Sequence, residues 1–126
     1  MGICLGMQLI FDKGYEFEET DGLGLIKGTV KKIERDDLSI PHMGWNSLIV
    51  NNECPLLDGL SQDEYVYFVH SYAAVCDDKD VAAYCDYGGK ITALVYDGKY
   101  VYGSQFHPEK SGAAGLKMLK NFSELK

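Results

Sequence analysis

A series of strand-like segments in the middle of the chain, separated by short turn signals, restricts the possible folds most strongly. Gly88-Gly89 and Asp97-Gly98 each lie between aromatic or β-branched runs, and glycine supplies the positive φ angles that two-residue hairpin turns need. We therefore expect the last strands to form an antiparallel meander. The β-branched and aromatic patterns predict strands at residues 29–34, 45–51, 65–74, 81–87, 91–96 and 100–106.

Helical signals lie at the two ends of the chain. Ser111 can cap a C-terminal helix with an apolar stripe that packs on the sheet. The residues of that stripe recur every third position and are Leu116, Leu119 and Phe122. Residues 5–11 predict a short helix that ends near Gly14. No linker, repeat or low-complexity tract divides the sequence, so its 126 residues predict a single α/β domain over residues 1–126.

The charge balance argues against polyanionic partners. The chain has 12 Lys and Arg against 19 Asp and Glu, for a net charge of -7, and its single arginine is Arg35. It therefore lacks the basic face that binds nucleic acid or an anionic membrane. Its apolar runs are far shorter than the ~18 residues of a membrane span, and residues 1–11 lack the pattern of a signal peptide. We therefore expect a cytoplasmic protein.

The cysteines form no CxxC pair, which argues against both a zinc site and a small disulfide scaffold. We expect reduced thiols, no metal and no cofactor. The four cysteines are Cys4, Cys54, Cys76 and Cys85, and the last three are predicted to be structural.

Residues 2–6, Gly-Ile-Cys-Leu-Gly, have the form of a nucleophile elbow, in which small residues flank a reactive side chain on a tight strand-to-helix turn. Cys4 occupies the position of the nucleophile. There a helix N-terminus stabilises a thiolate, and the main-chain N–H of Leu5 can point at a developing oxyanion. Both features favour acyl transfer. The alternative is a buried cysteine between two structural glycines.

Residues 103–109, Gly-Ser-Gln-Phe-His-Pro-Glu, follow a predicted strand and precede the capped helix, where open α/β sheets display reactive groups. His107 and Glu109 are two residues apart, so in extended chain they share a face. Glu109 can then orient the imidazole while His107 exchanges a proton with Cys4 and the leaving group. The alternative for His-x-Glu alone is a surface pair, but the cysteine elbow favours the catalytic interpretation.

These residues resemble the class I glutamine amidotransferases, which carry a cysteine elbow and, much later, a Phe-His-Pro-Glu signature. Within that family the chain is most similar to the amidotransferase subunits of imidazole glycerol phosphate synthases. The motifs that carry the resemblance are Gly2–Gln8, Pro41–Asn46, Tyr67–Tyr72 and His107–Ser111. The resemblance implies a mixed sheet flanked by helices, with an antiparallel C-terminal meander.

The resemblance also implies a reaction. Cys4 attacks the side-chain carboxamide of glutamine, His107 protonates the departing ammonia, and water hydrolyses the thioester to glutamate, while Glu109 holds His107. Ammonia then passes to a cyclase subunit in a step of histidine biosynthesis. Leu5 lies at the oxyanion, and Gln8 helps to hold the glutamine.

Further positions follow from the same resemblance. The main chain around Ser71 and Tyr72 closes on the amino-acid end of the substrate. The residues assigned to the cyclase interface and the ammonia exit are His42, Trp45, Asn46, Tyr67 and Lys110. The alternative is a structural role for each: a strand-entry turn for the 41–46 segment, a sheet aromatic for Tyr67 and a surface charge for Lys110.

The sequence departs from the family at its start. Family members normally have further strands ahead of the elbow, together with a glycine-containing loop that donates a second oxyanion N–H. Here Met1 stands directly before Gly2, so we expect an N-terminally truncated domain. Uncovered apolar sheet surface favours association, and we therefore expect a homo-oligomer or a complementing segment.

Two other functions stay open at this point. The first is a catalytically silent amidotransferase-like fragment that keeps the fold and partner binding. The second is a related cysteine hydrolase of γ-glutamyl peptides, which has no reason to keep the 41–46 motif or Lys110.

Overall fold

Three sheets and two helices make up the described part of this computed structural model, which comprises residues 1–16, 18–34 and 38–125. The strands are β1 (Gly2–Ile3), β2 (Lys13–Gly14), β3 (Thr20–Asp21), β4 (Gly28–Lys32), β5 (His42–Ser47), β6 (Ile49–Val50), β7 (Tyr65–His70), β8 (Tyr72–Cys76), β9 (Val81–Asp86), β10 (Lys90–Tyr96) and β11 (Tyr102–Ser104). The helices are α1 (Leu5–Gln8) and α2 (Gly112–Ser123). Single 3-10 turns occur at Pro55–Leu57, Asp78–Asp80 and Pro108–Lys110.

The largest sheet has the strand order β1-β11-β10-β9-β6. β1 runs parallel to β11, whereas β9, β10 and β11 pair antiparallel in sequence. The mixed sheet and the C-terminal meander confirm the predicted fold class. The parallel pair also joins the two ends of the chain, since Ile3 lies beside Ser104.

The β9–β10 turn confirms the glycine signal, because Gly88 and Gly89 both have positive φ angles, 68° and 141°. The turn after β10 is longer than predicted. One carboxylate oxygen of Asp97 accepts hydrogen bonds from the main-chain N–H groups of Lys99, Tyr100 and Val101. This Asp-centred loop replaces a two-residue turn, so β11 begins at Tyr102.

The segment predicted as one strand over residues 65–74 is two strands in different sheets. β7 pairs with β5, whereas β8 pairs with β4 in a second sheet of order β3-β2-β4-β8. The chain crosses from one sheet to the other at Ser71, whose carbonyl accepts a hydrogen bond from Ile33 N–H at 2.9 Å. Apolar and aromatic residues resume at Tyr72 directly after His70 and Ser71, so the predicted strand continued across this point.

Two features of the helices differ from the predictions. α1 ends at Gln8, because the residues that follow turn inward and bury Ile10 and Phe11 in the core. The predicted stripe of α2 is wrong, since Leu116 is 63% exposed whereas Met118 is completely buried. The buried face of α2 follows four-residue spacing and also contains Ala114 and Gly115.

The central sheet is covered on both faces. Leu94 belongs to the larger core, which also contains Phe106 and, from α2, Met118. The adjacent Val95 belongs to a second core, which contains Met7 of α1. Because successive strand residues point to opposite faces, β10 separates the two cores. Within the described part of the chain, no helix has the length and apolar character needed to cross a bilayer.

Candidate active site

Cys4 lies in the tight turn between β1 and α1 with φ 55° and ψ -106°, a backbone conformation that non-glycine residues rarely adopt. The turn is held by a hydrogen bond from Cys4 N–H to the Ser104 carbonyl at 2.7 Å. It also depends on close packing, since a Cβ at Gly2 would lie 2.4 Å from the Gly6 carbonyl oxygen. The elbow geometry predicted from the sequence is therefore present.

His107 follows β11 in extended conformation and is held from both sides. Its main-chain N–H donates to the Tyr67 carbonyl at 3.0 Å, and its own carbonyl accepts from Ser111 Oγ. Ser111 Oγ in turn accepts from Tyr67 N–H at 3.0 Å. Ser111 therefore ties the His107 segment to β7, whereas the sequence had suggested that its side chain caps α2.

The ring of His107 contacts Glu109, with 3.0 Å between Nδ1 and Oε1. A carboxylate accepts hydrogen bonds, so this contact places a proton on Nδ1 and makes Nε2 the acceptor of the neutral ring. Nε2 is therefore the nitrogen that can take a proton from another group. The exposed fraction of the His107 side chain is 22%, so the ring is within reach of a bound molecule.

Two charged residues of the His107 segment, Glu109 and Lys110, influence the pKa of the Cys4 thiol. Burial raises the pKa of the Cys4 thiol, and the negative charge of Glu109 raises it further. The main-chain N–H of Leu5, the side chain of Gln105 and the charge of Lys110 act in the opposite direction. Stabilisation of the thiolate by the helix N-terminus, expected from the sequence, is outweighed by desolvation.

The Cys4 sulfur contacts two groups, the Val69 carbonyl at 3.9 Å and Gln105 Nε2 at 3.7 Å. Among residues 1–16, 18–34 and 38–125, no hydrogen bond joins this sulfur to His107. Cys4 and His107, the predicted nucleophile and proton acceptor, are therefore not hydrogen-bonded to each other in this conformation.

A cleft of about 290 Å³ opens beside the sulfur. Its lining includes all the residues that the resemblance assigned to substrate and oxyanion, namely Leu5, Gln8, Ser71 and Tyr72. It also includes Val69, His70 and Glu16, which sequence reasoning missed. Glu16 lies in an acidic stretch with nothing to distinguish it from its neighbours, so the sequence offers no signal for it.

Gln8 is fixed by two hydrogen bonds from its Nε2, one to the Tyr72 carbonyl and one to Gln105 Oε1, both 3.2 Å long. Gln105 is fully buried and places its own Nε2 near the Cys4 sulfur. Two glutamine amides therefore link the cleft wall to the nucleophile. Gln105 lies within the 103–109 motif, which predicted no role for it.

The residues assigned to a partner interface differ in exposure. Trp45 is 53% exposed and packs edge-to-face against Tyr67, with ring centroids 5.8 Å apart. Lys110 is also exposed. His42, by contrast, is completely buried and stacks on Phe68. This ring has no surface to offer a partner, so the interface expectation for His42 does not fit its position.

His42 is instead one of two buried histidines in contact. Its Nδ1 lies 3.0 Å from Nε2 of His70, and its Nε2 lies 2.7 Å from Asn46 Oδ1. Nδ1 of His70 lies 2.8 Å from the Tyr72 carbonyl. Burial lowers the pKa of both imidazoles, that of His70 to about 4, and so favours the neutral form of each ring.

The remaining thiols are unreactive by comparison. Burial raises the pKa of Cys54 to about 11, of Cys76 to about 11 and of Cys85 to about 12. All four cysteines are free. In the described ranges, no group of three or more His, Cys, Asp or Glu side chains is arranged to hold a metal ion.

Known proteins match this chain along almost its whole length. It is 54% identical over 125 residues to the imidazole glycerol phosphate synthase subunit HisH of Lactococcus lactis subsp. lactis (strain IL1403), an alignment covering 98% of this chain and 61% of that relative. The subunit HisH of Bacillus cereus (strain B4264) is 48% identical over 122 residues, covering 97% of this chain and 57% of the relative. The chain thus spans about three fifths of the length of the curated relatives it matches.

A solved structure from Thermoplasma acidophilum, provisionally named as part of a GMP synthase, has the same fold. It superposes with a TM-score of 0.68 at 23% identity, covering 96% of this chain and 53% of that one. The family model described as glutamine amidotransferase class-I matches residues 1–125. With the cysteine elbow and the His-Pro-Glu segment in one site, the chain belongs to the class I glutamine amidotransferase family.

Proposed function

We propose that this chain is the glutaminase part of an amidotransferase, in which Cys4 hydrolyses the side-chain amide of glutamine. One observation carries the proposal. Cys4 sits on a strained elbow beside a cleft, and the charges of Glu109 and Lys110, from the opposite end of the chain, act on its thiol. Family membership supplies the reaction class, and the cleft residues suit its substrate.

The chemistry requires two proton transfers through one imidazole. Nε2 of His107 accepts the thiol proton as the Cys4 sulfur attacks the carboxamide carbon, and the oxyanion receives the N–H of Leu5. The protonated ring then gives this proton to the departing amine, which leaves as ammonia. Water adds to the thioester through the same ring and releases glutamate and the free thiol. Glu109 stabilises the imidazolium formed in each half-reaction.

The cleft offers matching groups for the amino-acid end of glutamine. The carboxylate of Glu16 is an acceptor for the α-ammonium group, and the main chain at Ser71 and Tyr72 lies on the same wall. Charge-assisted hydrogen bonds of this kind are about twice as strong as neutral ones. Glu16 is therefore part of the proposed substrate site.

The partner is proposed from the named relatives, which are subunits of imidazole glycerol phosphate synthase. Ammonia made at Cys4 passes to a cyclase subunit that carries out the histidine-pathway step. Trp45, Tyr67 and Lys110 lie on or near the β5–β7 sheet and the His107 segment, and the exposed ring of Trp45 suits a protein contact. Self-association through uncovered sheet surface stays a prediction.

A silent, partner-binding fragment is the second candidate, and a specific observation favours it. The Cys4 pKa is raised rather than lowered, and no hydrogen bond to His107 is formed within the described residues. Such a chain keeps the fold and the β5–β7 surface without turnover.

Glutamate release from glutamine separates the two candidates. It is measured with and without a purified cyclase subunit plus its nucleotide ligand, for the unsubstituted chain, Cys4→Ala and Cys76→Ala. Cys76 is a half-buried thiol that does not line the cleft and serves as the matched control. Turnover lost in Cys4→Ala and kept in Cys76→Ala supports the glutaminase. Turnover no higher than that of Cys4→Ala, in chain shown to be folded, refutes it.

Glu109→Gln tests the role of the carboxylate. The amide can still accept a hydrogen bond from Nδ1 of His107 but carries no charge to stabilise the imidazolium. We expect kcat to fall by about a hundredfold or more, since general acid–base catalysis contributes roughly 10²–10⁴ in rate. An unchanged kcat would exclude Glu109 from the mechanism.

A further inference from the structure

The buried histidine pair has no place in the reaction as proposed above, yet His70 is one of the residues that line the cleft, and His42 contacts it. His42 is completely buried, His70 is 6% exposed, and the two rings contact each other between Asn46 and the Tyr72 carbonyl. His42 also stacks on Tyr87, with ring centroids 3.9 Å apart. Polar rings are buried at a cost unless they form hydrogen bonds, so each nitrogen here has a definite partner.

The proton on His70 is assigned by its neighbours. A carbonyl oxygen can only accept, so the 2.8 Å contact between Nδ1 of His70 and the Tyr72 carbonyl requires hydrogen on Nδ1. The neutral ring then presents Nε2 as an acceptor to His42. The role of His42 is to hold this tautomer by donating from its own Nδ1 at 3.0 Å.

The contact of His42 with Asn46 completes this series of hydrogen bonds. When His42 Nδ1 carries the hydrogen, its Nε2 is an acceptor and faces the amide of Asn46 at 2.7 Å. A neutral pair therefore requires the amide NH₂ group toward His42, the reverse of the orientation in the structure, where Oδ1 faces Nε2 and Nδ2 donates to the Asp86 carbonyl. With the amide oriented so that Nδ2 donates to the Asp86 carbonyl, the pair must instead share a third proton. Both states keep hydrogen on Nδ1 of His70.

The Tyr72 carbonyl has a second donor, Nε2 of Gln8, at 3.2 Å. The other hydrogen of that amide goes to Gln105 Oε1, also at 3.2 Å. Both hydrogens of Gln8 are thus used inside the protein. Among the described residues its Oε1 has no hydrogen-bond partner, so Gln8 can meet a bound molecule as an acceptor.

We propose that His70, held by His42, is a positioning residue for the glutamine site. It fixes the Tyr72 carbonyl, which orients the Gln8 amide so that its oxygen faces the cleft as an acceptor for N–H groups of the substrate. This proposal rests on the proposed glutaminase function. It adds that the orientation of Gln8 is set by a particular tautomer of His70, a largely buried histidine in the cleft wall.

Two substitutions of His70 separate its two contacts. In His70→Asn the side-chain NH₂ can occupy the position of Nδ1 and keep the donor to the Tyr72 carbonyl, while the contact to His42 is lost. In His70→Gln the amide reaches the position of Nε2 and keeps the contact to His42, while the donor to Tyr72 is lost. Both variants remove one buried hydrogen bond, so they form a matched pair for stability.

Steady-state glutaminase kinetics of the two variants then test the proposal through the KM for glutamine. We expect the KM for glutamine in His70→Gln to exceed that in His70→Asn by about five- to tenfold, the effect of one hydrogen bond, with a smaller change in kcat. Thermal unfolding of both variants reports the purely structural effect. Equal KM values in the two variants, or a fall in kcat alone, would overturn the proposal.

A second readout does not need turnover. The side-chain NH₂ signals of Gln8, assigned by NMR with a Gln8→Ala variant, are expected to shift in His70→Gln and to stay near their original positions in His70→Asn. If the unsubstituted chain shows no turnover, the proposed function fails while this measurement still tests the positioning. Signals that shift equally in both variants, or in neither, would contradict it.

Discussion

Replacing Gly2 with alanine tests what holds the strained turn at Cys4. A Cβ at position 2 would lie 2.4 Å from the carbonyl oxygen of Gly6, 2.5 Å from its carbonyl carbon and 2.8 Å from Met7 N. All three are main-chain atoms, which no rotamer change can move. A Cβ at Gly6 meets nothing within 4 Å. The two glycines that flank the nucleophile therefore have different roles, and Gly6→Ala is the matched control.

The size of the effect follows from these distances. To restore ordinary contact, the start of α1 must move away from β1 by about 1 Å, and overpacking of this kind costs about 1–3 kcal/mol of unfolding free energy. The same shift displaces the Leu5 N–H and the Cys4 sulfur, and a 1 Å misplacement costs about a hundredfold in rate. In Gly6→Ala the loss of unfolded-state freedom stabilises the chain by up to ~1 kcal/mol.

Two assays check the prediction independently. Urea unfolding gives the difference in free energy between the variants, and labelling by a chloroketone analogue of glutamine gives the reactivity of Cys4. We expect Gly2→Ala to unfold at lower urea and to label far more slowly than Gly6→Ala. If the two variants unfold at the same urea concentration and label at the same rate, steric packing at Gly2 does not maintain the elbow.

Three further outcomes are expected. Met118→Ala should lower the free energy of unfolding in urea by about 2–5 kcal/mol because Met118 is completely buried. Leu116→Ala, at a position 63% exposed, should change this free energy by less than about 0.5 kcal/mol. Equal losses in the two variants would show that Leu116 packs on the sheet as the sequence predicted. Burial lowers the His70 pKa to about 4 in the folded chain, so the unfolded chain binds more protons. The stability tied to His70 is complete above pH ~6.5 and falls by about 3 kcal/mol as the pH drops to ~4, a slope that unfolding of His70→Asn should not show. Asn121→Ala should lower the free energy of unfolding by about 1–3 kcal/mol in the same assay. The reason is that Asn121 Nδ2 donates to two carbonyl oxygens of the segment at residues 56–58, both at 2.9 Å. A change below about 0.5 kcal/mol would show that water replaces both hydrogen bonds.

Local sequence patterns predicted the parts of the fold that depend on local chemistry. The Gly88-Gly89 hairpin was predictable because positive φ angles restrict the residue type. The crossing between sheets at Ser71 was not, because both flanking strands are apolar and the change of partner depends on β4 and β5 far along the chain. The buried face of α2 was misassigned because tertiary packing uses Ala114 and Gly115, small residues that an apolar pattern underweights.

The candidate site likewise contains some residues that sequence motifs predicted and others that they did not. Cys4 and His107 stand in motifs whose residue types the proposed chemistry demands, so those motifs and the family resemblance indicated them, and the β1–β11 pairing explains why the two ends meet. Gln105 contacts the Cys4 sulfur at 3.7 Å because β1 and β11 pair, and His70 contacts the Tyr72 carbonyl at 2.8 Å where the chain passes from β7 to β8. Neither contact depends on a residue type that a local pattern marks, so the sequence did not predict them.

The raised pKa of Cys4 does not by itself oppose catalysis, because Glu109 acts on both members of the proposed pair. Its negative charge disfavours a lone thiolate, but its carboxylate also contacts Nδ1 of His107 at 3.0 Å and so faces the positive charge that the proposed proton transfer places on this ring. When the proton moves from Cys4 to His107, the repulsion gained at the sulfur is offset by the attraction gained at the ring. The cost that remains is desolvation of the half-buried thiolate, which the Leu5 N–H, the Gln105 side chain and the charge of Lys110 reduce. In the proposed mechanism the thiol therefore stays protonated until His107 accepts its proton.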